Sequence, residues 1–151
     1  PNAPAAVGRG ITVAAANGQV TGQQKSCCDG LLGAVGDVAW IDDEGLMDAV
    51  TAVSGSGPAY VFLLAECLAE AGREAGLPAE LSDQLARATV AGAGELLHQS
   101  GDSATRLREN VASPGGTTAA ALEVLMSGDG WQALMAKAVA AAVKRSRELA
   151  G

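Results

Sequence analysis

Residues 51–76, TAVSGSGPAYVFLLAECLAEAGREAG, decide the architecture of this chain. From Gly57 onward the apolar residues return at helical spacing. Val61, Leu64, Leu68, Ala71 and Ala75 form one stripe, while Glu66, Glu70, Arg73 and Glu74 fall on the other side. Pro58 suits a first helical turn, where no internal hydrogen bond is lost, and Gly76 followed by Leu77-Pro78 is a helix stop. Ser54 or Ser56 can cap the helix, and Gly55 and Gly57 let a neighbouring backbone come close. A plain helix–helix junction would use the same residues.

Outward from this stretch the helical pattern continues. Leu81, Leu85, Ala88, Gly92 and Leu96 mark a helix over about 80–98, and Ser103 reads as the N-cap of a short helix through Arg108. Helices at about 117–127 and 130–149 follow, parted by Gly128. The last has Leu134, Ala138, Ala141 and Leu149 on one face, with Lys144, Arg145 and Arg147 near its end, where cations suit the helix dipole. Upstream the texture differs. ITVAAA at 11–16 and Val38-Ala39-Trp40-Ile41 read as short strands around a helix at 21–34, with Asn17-Gly18 as a turn. Such a βαβ-like piece cannot cover its own sheet edges. The fold class is therefore mainly α, about five helices preceded by a short βαβ-like segment. The stripes are wide and rich in Ala, so a monomer would leave apolar surface exposed, and a homo-oligomer built through helix packing is expected.

Composition narrows the functions. The 151 residues suffice for one full core; they are 48% hydrophobic but only 3% aromatic, so Ala, Leu and Val must fill the interior. A net charge of −7 argues against a nucleic-acid surface, which needs clustered Lys and Arg. Cys27, Cys28 and Cys67 have no metal-ligand spacing and read as reduced thiols, and His98, the one histidine, falls where a helix ends. No metal site is expected. Neither a signal-type start nor an apolar run near the roughly 20 residues of a bilayer span is visible, so the expectation is a cytoplasmic protein without a membrane partner.

A second glycine-rich stretch carries the chemistry. Asn110-Val-Ala-Ser-Pro-Gly-Gly-Thr-Thr118 opens onto the apolar run AAALEVLM. Pro114 fixes one φ angle, Gly115 and Gly116 permit positive φ, and Thr117 or Thr118 can cap the next helix, whose free N–H groups favour a carboxylate or phosphate. An ordinary cap after a turn would look the same. Gly92-Ala93-Gly94 is no dinucleotide fingerprint, because it lies inside a helical pattern without a preceding strand. There is no Ser-His-Asp or Cys-His set, and hydroxyls, an Asn and backbone amides bind and orient rather than act as strong bases. Hydride transfer fits such groups, since the cofactor brings the chemistry and the protein brings position.

Together, VSGSGPAY at 53–60 and RENVASPGGTT at 108–118 resemble the C-terminal half of pyrroline-5-carboxylate reductases, and the opening Pro-Asn-Ala-Pro with ITVAAA resembles the segment before the last strands of that family's dinucleotide domain. The resemblance implies residues 1–44 as the remnant of a Rossmann domain and residues 45–151 as a helical dimerisation and substrate-binding domain. It implies reduction of a small-molecule substrate, 1-pyrroline-5-carboxylate, to L-proline with NADPH or NADH, the last step of proline biosynthesis. The substrate carboxylate would lie on Ser113, Gly115, Gly116, Thr117 and Thr118, with Thr118 near the ring nitrogen as the catalytic hydroxyl and Asn110 and Val111 beside the cofactor. The partner would be a second copy, in a dimer or larger homo-oligomer.

One departure is that family's glycine-rich loop, which this sequence does not contain, so the 151 residues read as a piece of a longer protein. Alone they are expected to keep the dimerisation surface but to bind no nicotinamide cofactor productively and to be inactive. The rival reading is a stand-alone helical oligomerisation module without catalysis. A β-hydroxyacid dehydrogenase domain fits less well, because Lys137 and Lys144 fall in the last helix, away from both motifs.

Overall fold

The computed structural model describes residues 1–151 and divides into two compact units, Pro1–Tyr60 with Lys137–Gly151, and Val61–Ala136.

In the first unit the β-branched run Ile11-Thr12-Val13 forms strand β1, Gly10–Ala15, which pairs in parallel with β2, Gly36–Ile41, from Gly10 opposite Gly36 to Ala15 opposite Ile41. The two glycines permit this start. Gly36 has φ +146°, and a Cβ there would strike the Gly10 carbonyl. The crossover is helix α1, Gly22–Leu32, begun by a capping box in which Gln24 N–H donates to Thr21 Oγ1 and Thr21 N–H to Gln24 Oε1. Trp40 of β2 holds α1, its Nε1 donating to Asp29 at 2.7 Å while Lys25 Nζ stands 5.0 Å from its ring centre. This is the expected βαβ piece.

A short helix α2, Met47–Val50, then runs into a π-helical turn at Thr51–Gly55 and on into α3, Gly57–Glu74. The serine cap that the sequence allows is not used here. Neither Ser54 nor Ser56 caps α3, because the chain is already helical when it reaches them, with Ser56 at φ −84°, ψ −24°. The helix accommodates Pro58 by widening. Ser56 N–H reaches back five residues to the Thr51 carbonyl at 2.8 Å, and Pro58 has no N–H to give. Asp48 of α2 accepts from Ser146 Oγ at 2.6 Å and faces Arg147 Nε at 3.5 Å, which fastens the end of α7, Trp131–Ala150, to α2.

The second unit contains most of α3, then α4 (Ala79–Gln99), α5 (Ala104–Asn110), α6 (Thr117–Leu125) and the first turns of α7. α3 and α4 touch where they join: Ser82 Oγ donates to the Ala69 carbonyl, and a Cβ on Gly72 would strike that hydroxyl. Arg73 bridges Glu70 and Asp83, its Nε at 2.8 Å from the first and Nη1 at 2.7 Å from the second, and Asp83 first and Glu70 second raise its already high pKa. No two helices of this unit pack along their length.

The apolar stripes read from the sequence are not the ones this chain covers. Ala52, Ala69 and Ala86 are its only buried apolar residues, while Val61, Leu68, Leu81, Leu85, Leu96 and Leu134 remain exposed. One protomer exposes 10562 Å², against about 7,000 Å² for a monomeric globule of 14.9 kDa. The excess is about 3,500 Å² per chain, or about 7,000 Å² for a pair, which is at the upper end of what obligate homodimers bury in total.

Candidate functional site

The connection from α5 to α6 is built by its own residues. Ser103 Oγ accepts from Arg106 N–H at 3.2 Å and starts α5, which ends with Asn110 and Val111. Ser113-Pro114-Gly115-Gly116 then make a type II turn. Proline stands at its second position, Gly115 has φ +69° at its third, and Gly116 N–H donates to the Ser113 carbonyl at 3.0 Å. Of the two glycines that permit positive φ, only Gly115 uses it; Gly116 is extended at φ −82°, ψ 173°.

That conformation makes Gly116 the N-cap of α6, so Thr117 is already the first helical residue and neither Thr117 nor Thr118 caps the helix. No side chain takes their place. The first N–H to return to a helical carbonyl is that of Ala120, to Gly116 at 3.2 Å, which leaves the amides of Thr117, Thr118 and Ala119 directed out of the helix end. Their partial positive charge, with the dipole behind it, suits a carboxylate. Thr118 is half-buried beside them, whereas Ser113, Thr117, Asn110 and Val111 are exposed. A Cβ on Gly116 would lie 3.1 Å from the Ser113 carbonyl oxygen, so a side chain there would press on that oxygen although the backbone angle permits one. All the residues expected at the site thus share one short connection. No cluster of His, Cys, Asp and Glu could hold a metal ion, and the three cysteines are free and exposed.

The family model for pyrroline-5-carboxylate reductase dimerisation matches residues 44–149. The chain belongs to the pyrroline-5-carboxylate reductase family. Relatives bearing that enzyme's name include one from Glycine max, 44% identical over 99% of this chain and 54% of its own length, and one from Synechocystis, 46% identical over 99% and 55%. A solved pyrroline-5-carboxylate reductase from Coxiella burnetii superposes with a TM-score of 0.92 at 42% identity, covering 99% of this chain and 55% of that one. A Plasmodium falciparum reductase, solved with NADP bound, gives 0.82 at 35% identity over 100% and 61%. The chain spans about half the length of the curated relatives it matches.

Two side chains escaped the sequence reading. Tyr60 donates its hydroxyl to the Ala52 carbonyl and the Asn2 amide donates to the Ser54 carbonyl, each at 3.1 Å. The usable signal was Pro58, which cannot donate to the carbonyl four residues earlier, that of Ser54.

Proposed function

We propose that this chain supplies the substrate loop and the dimerising helices of a pyrroline-5-carboxylate reductase that forms L-proline with NADPH or NADH. The observation that carries the reading is the type II turn at Ser113–Gly116, which delivers an uncapped α6 amino terminus. The amides of Thr117, Thr118 and Ala119 bind the substrate carboxylate, and the absence of a side chain at Gly115 and Gly116 lets it approach. Thr118 holds its hydroxyl toward the ring nitrogen, which gains a proton as the imine carbon gains hydride. A bound nicotinamide nucleotide supplies that hydride. Asn110 and Val111 would border its nicotinamide and ribose. The fit is partial within these residues, because the β1-to-α1 crossover carries Gly18 alone and no glycine-rich phosphate turn.

We assign residues 1–44 to the end of a dinucleotide-binding domain and residues 45–151 to the helical domain. A second copy covers the exposed stripes. This is supported by the excess of about 3,500 Å² per chain and by Gly92 and Gly94, where an added Cβ would meet nothing in this chain. Residues 44–74 form a helix long and apolar enough by composition to cross a bilayer. Its glycines, Pro58, Glu66 and Glu70 favour an interface helix instead. The free thiols suit the reducing cytoplasm.

The test is turnover. The natural-length gene product, given 1-pyrroline-5-carboxylate and reduced nicotinamide nucleotide, is expected to oxidise the nucleotide and release proline. A well-folded oligomer that does neither with NADPH or NADH would favour the helical module without catalysis.

A further inference from the structure

Asn2 divides its amide between two elements. Its Nδ2 donates to the Ser54 carbonyl at 3.1 Å, and its Oδ1 accepts from the N–H of Ile11, the second residue of β1, at 3.0 Å. Its backbone carbonyl also accepts from Ala5 N–H at 3.1 Å and starts the turn that leads into the strand. The helical carbonyls near this contact are free for a definite reason. Pro58 has no N–H for Ser54, and the N–H of Ser56 passes over Ala52 to reach Thr51. Tyr60 closes the Ala52 carbonyl from within the helix; Asn2 closes that of Ser54 from the segment that leads into β1. The covalent route between β1 and Ser54 is some forty residues long, so this side chain is a direct fastening where the backbone gives an indirect one.

We propose that Asn2 is a positioning residue, clasping β1 to the widened turn of the helix and so fixing where the cofactor-bearing sheet stands relative to the start of α3. The proposal rests on the reductase reading above. Both halves of the Asn2 amide are committed to protein, so it acts on the reaction through alignment. Hydride transfer is sensitive to alignment, because a displacement of about 1 Å by a residue remote from the reacting atoms can cost about 100-fold in rate.

The experiment compares the natural-length protein with its Asn2→Asp and Asn2→Gln variants in steady state, using nicotinamide nucleotide deuterated at the transferring position. Asn2→Asp keeps the acceptor for Ile11 but turns an oxygen toward the Ser54 carbonyl. It is expected to lower kcat about 10- to 100-fold, with KM for both substrates within about twofold and a larger isotope effect. Asn2→Gln keeps donor and acceptor on a longer arm and should recover part of the loss. An active wild type whose kcat is unchanged in Asn2→Asp, or whose loss lies in KM, would overturn the clasp. Loss of helical circular dichroism in both variants would also overturn it, since Asn2 would then hold the fold rather than align it. An inactive wild type would instead sink the reductase reading on which the clasp depends.

Discussion

The Ser82 hydroxyl occupies the place where a side chain on Gly72 would begin, and it is held there by its bond to the Ala69 carbonyl. Gly72→Ala gains about 1 kcal/mol of helix propensity but overpacks a site whose relief costs about 1–3 kcal/mol, so a net loss in urea unfolding is expected. In a Ser82→Ala background the closest obstacle is gone, leaving Leu77 Cδ1 at 3.3 Å, and the same substitution should become much less costly. Additive effects in this double-mutant cycle would contradict the contact.

Gly115 and Gly116 should fail differently. Gly115→Ala forces a Cβ into φ +69°, at about 1–2 kcal/mol, and should lower the melting temperature. Gly116→Val keeps an extended backbone that valine adopts readily, so stability should change little. It nevertheless presses on the Ser113 carbonyl and fills the approach to the α6 amides. Proline affinity by calorimetry should fall about 10- to 100-fold, the worth of a charge-assisted hydrogen bond. Retained affinity would remove the carboxylate assignment.

Thr118→Val preserves volume and deletes one hydroxyl. If that hydroxyl attends the ring nitrogen, kcat should drop about 100-fold or more while proline still binds through the helix amides. Equal kcat in the two proteins would confine Thr118 to packing.

Sedimentation should find a dimer or larger species whose stability is insensitive to salt, because the exposed stripes are apolar. Leu134, 65% exposed in one protomer, is a direct probe. Leu134→Glu should weaken association strongly, whereas a wild type that sediments as a monomer would refute the interface.

The elements were legible because periodicity and stop signals are local: Gly76-Leu77-Pro78 ended α3 near the expected place, and Ser103 capped α5. Faces were less legible. Periodicity selects the bulkiest stripe, such as Val61, Leu64 and Leu68, yet the chain's own contacts use Ala69, Gly72, Ser82 and Ala86, small residues whose value lies in close approach. A single sequence does not say whether a stripe meets its own chain or another. The loop at 110–118 was legible as a segment, but its cap was misread because the turn places Gly116, rather than a threonine, at the N-cap. Asn2 was invisible as a partner of Ser54, since nothing local links positions 52 residues apart.

The widened turn at Thr51–Gly55 has a geometric consequence beyond its freed carbonyls. The wide turn takes in one residue beyond the α-helical count, which is a shift of about 100° in the sequence register of the helix. The extra residue is held within 51–55, so deleting one residue there would return this turn to α-helical spacing. A one-residue deletion further along α3 has no such turn to take it up and would shift every later residue by about 100° about the helix axis.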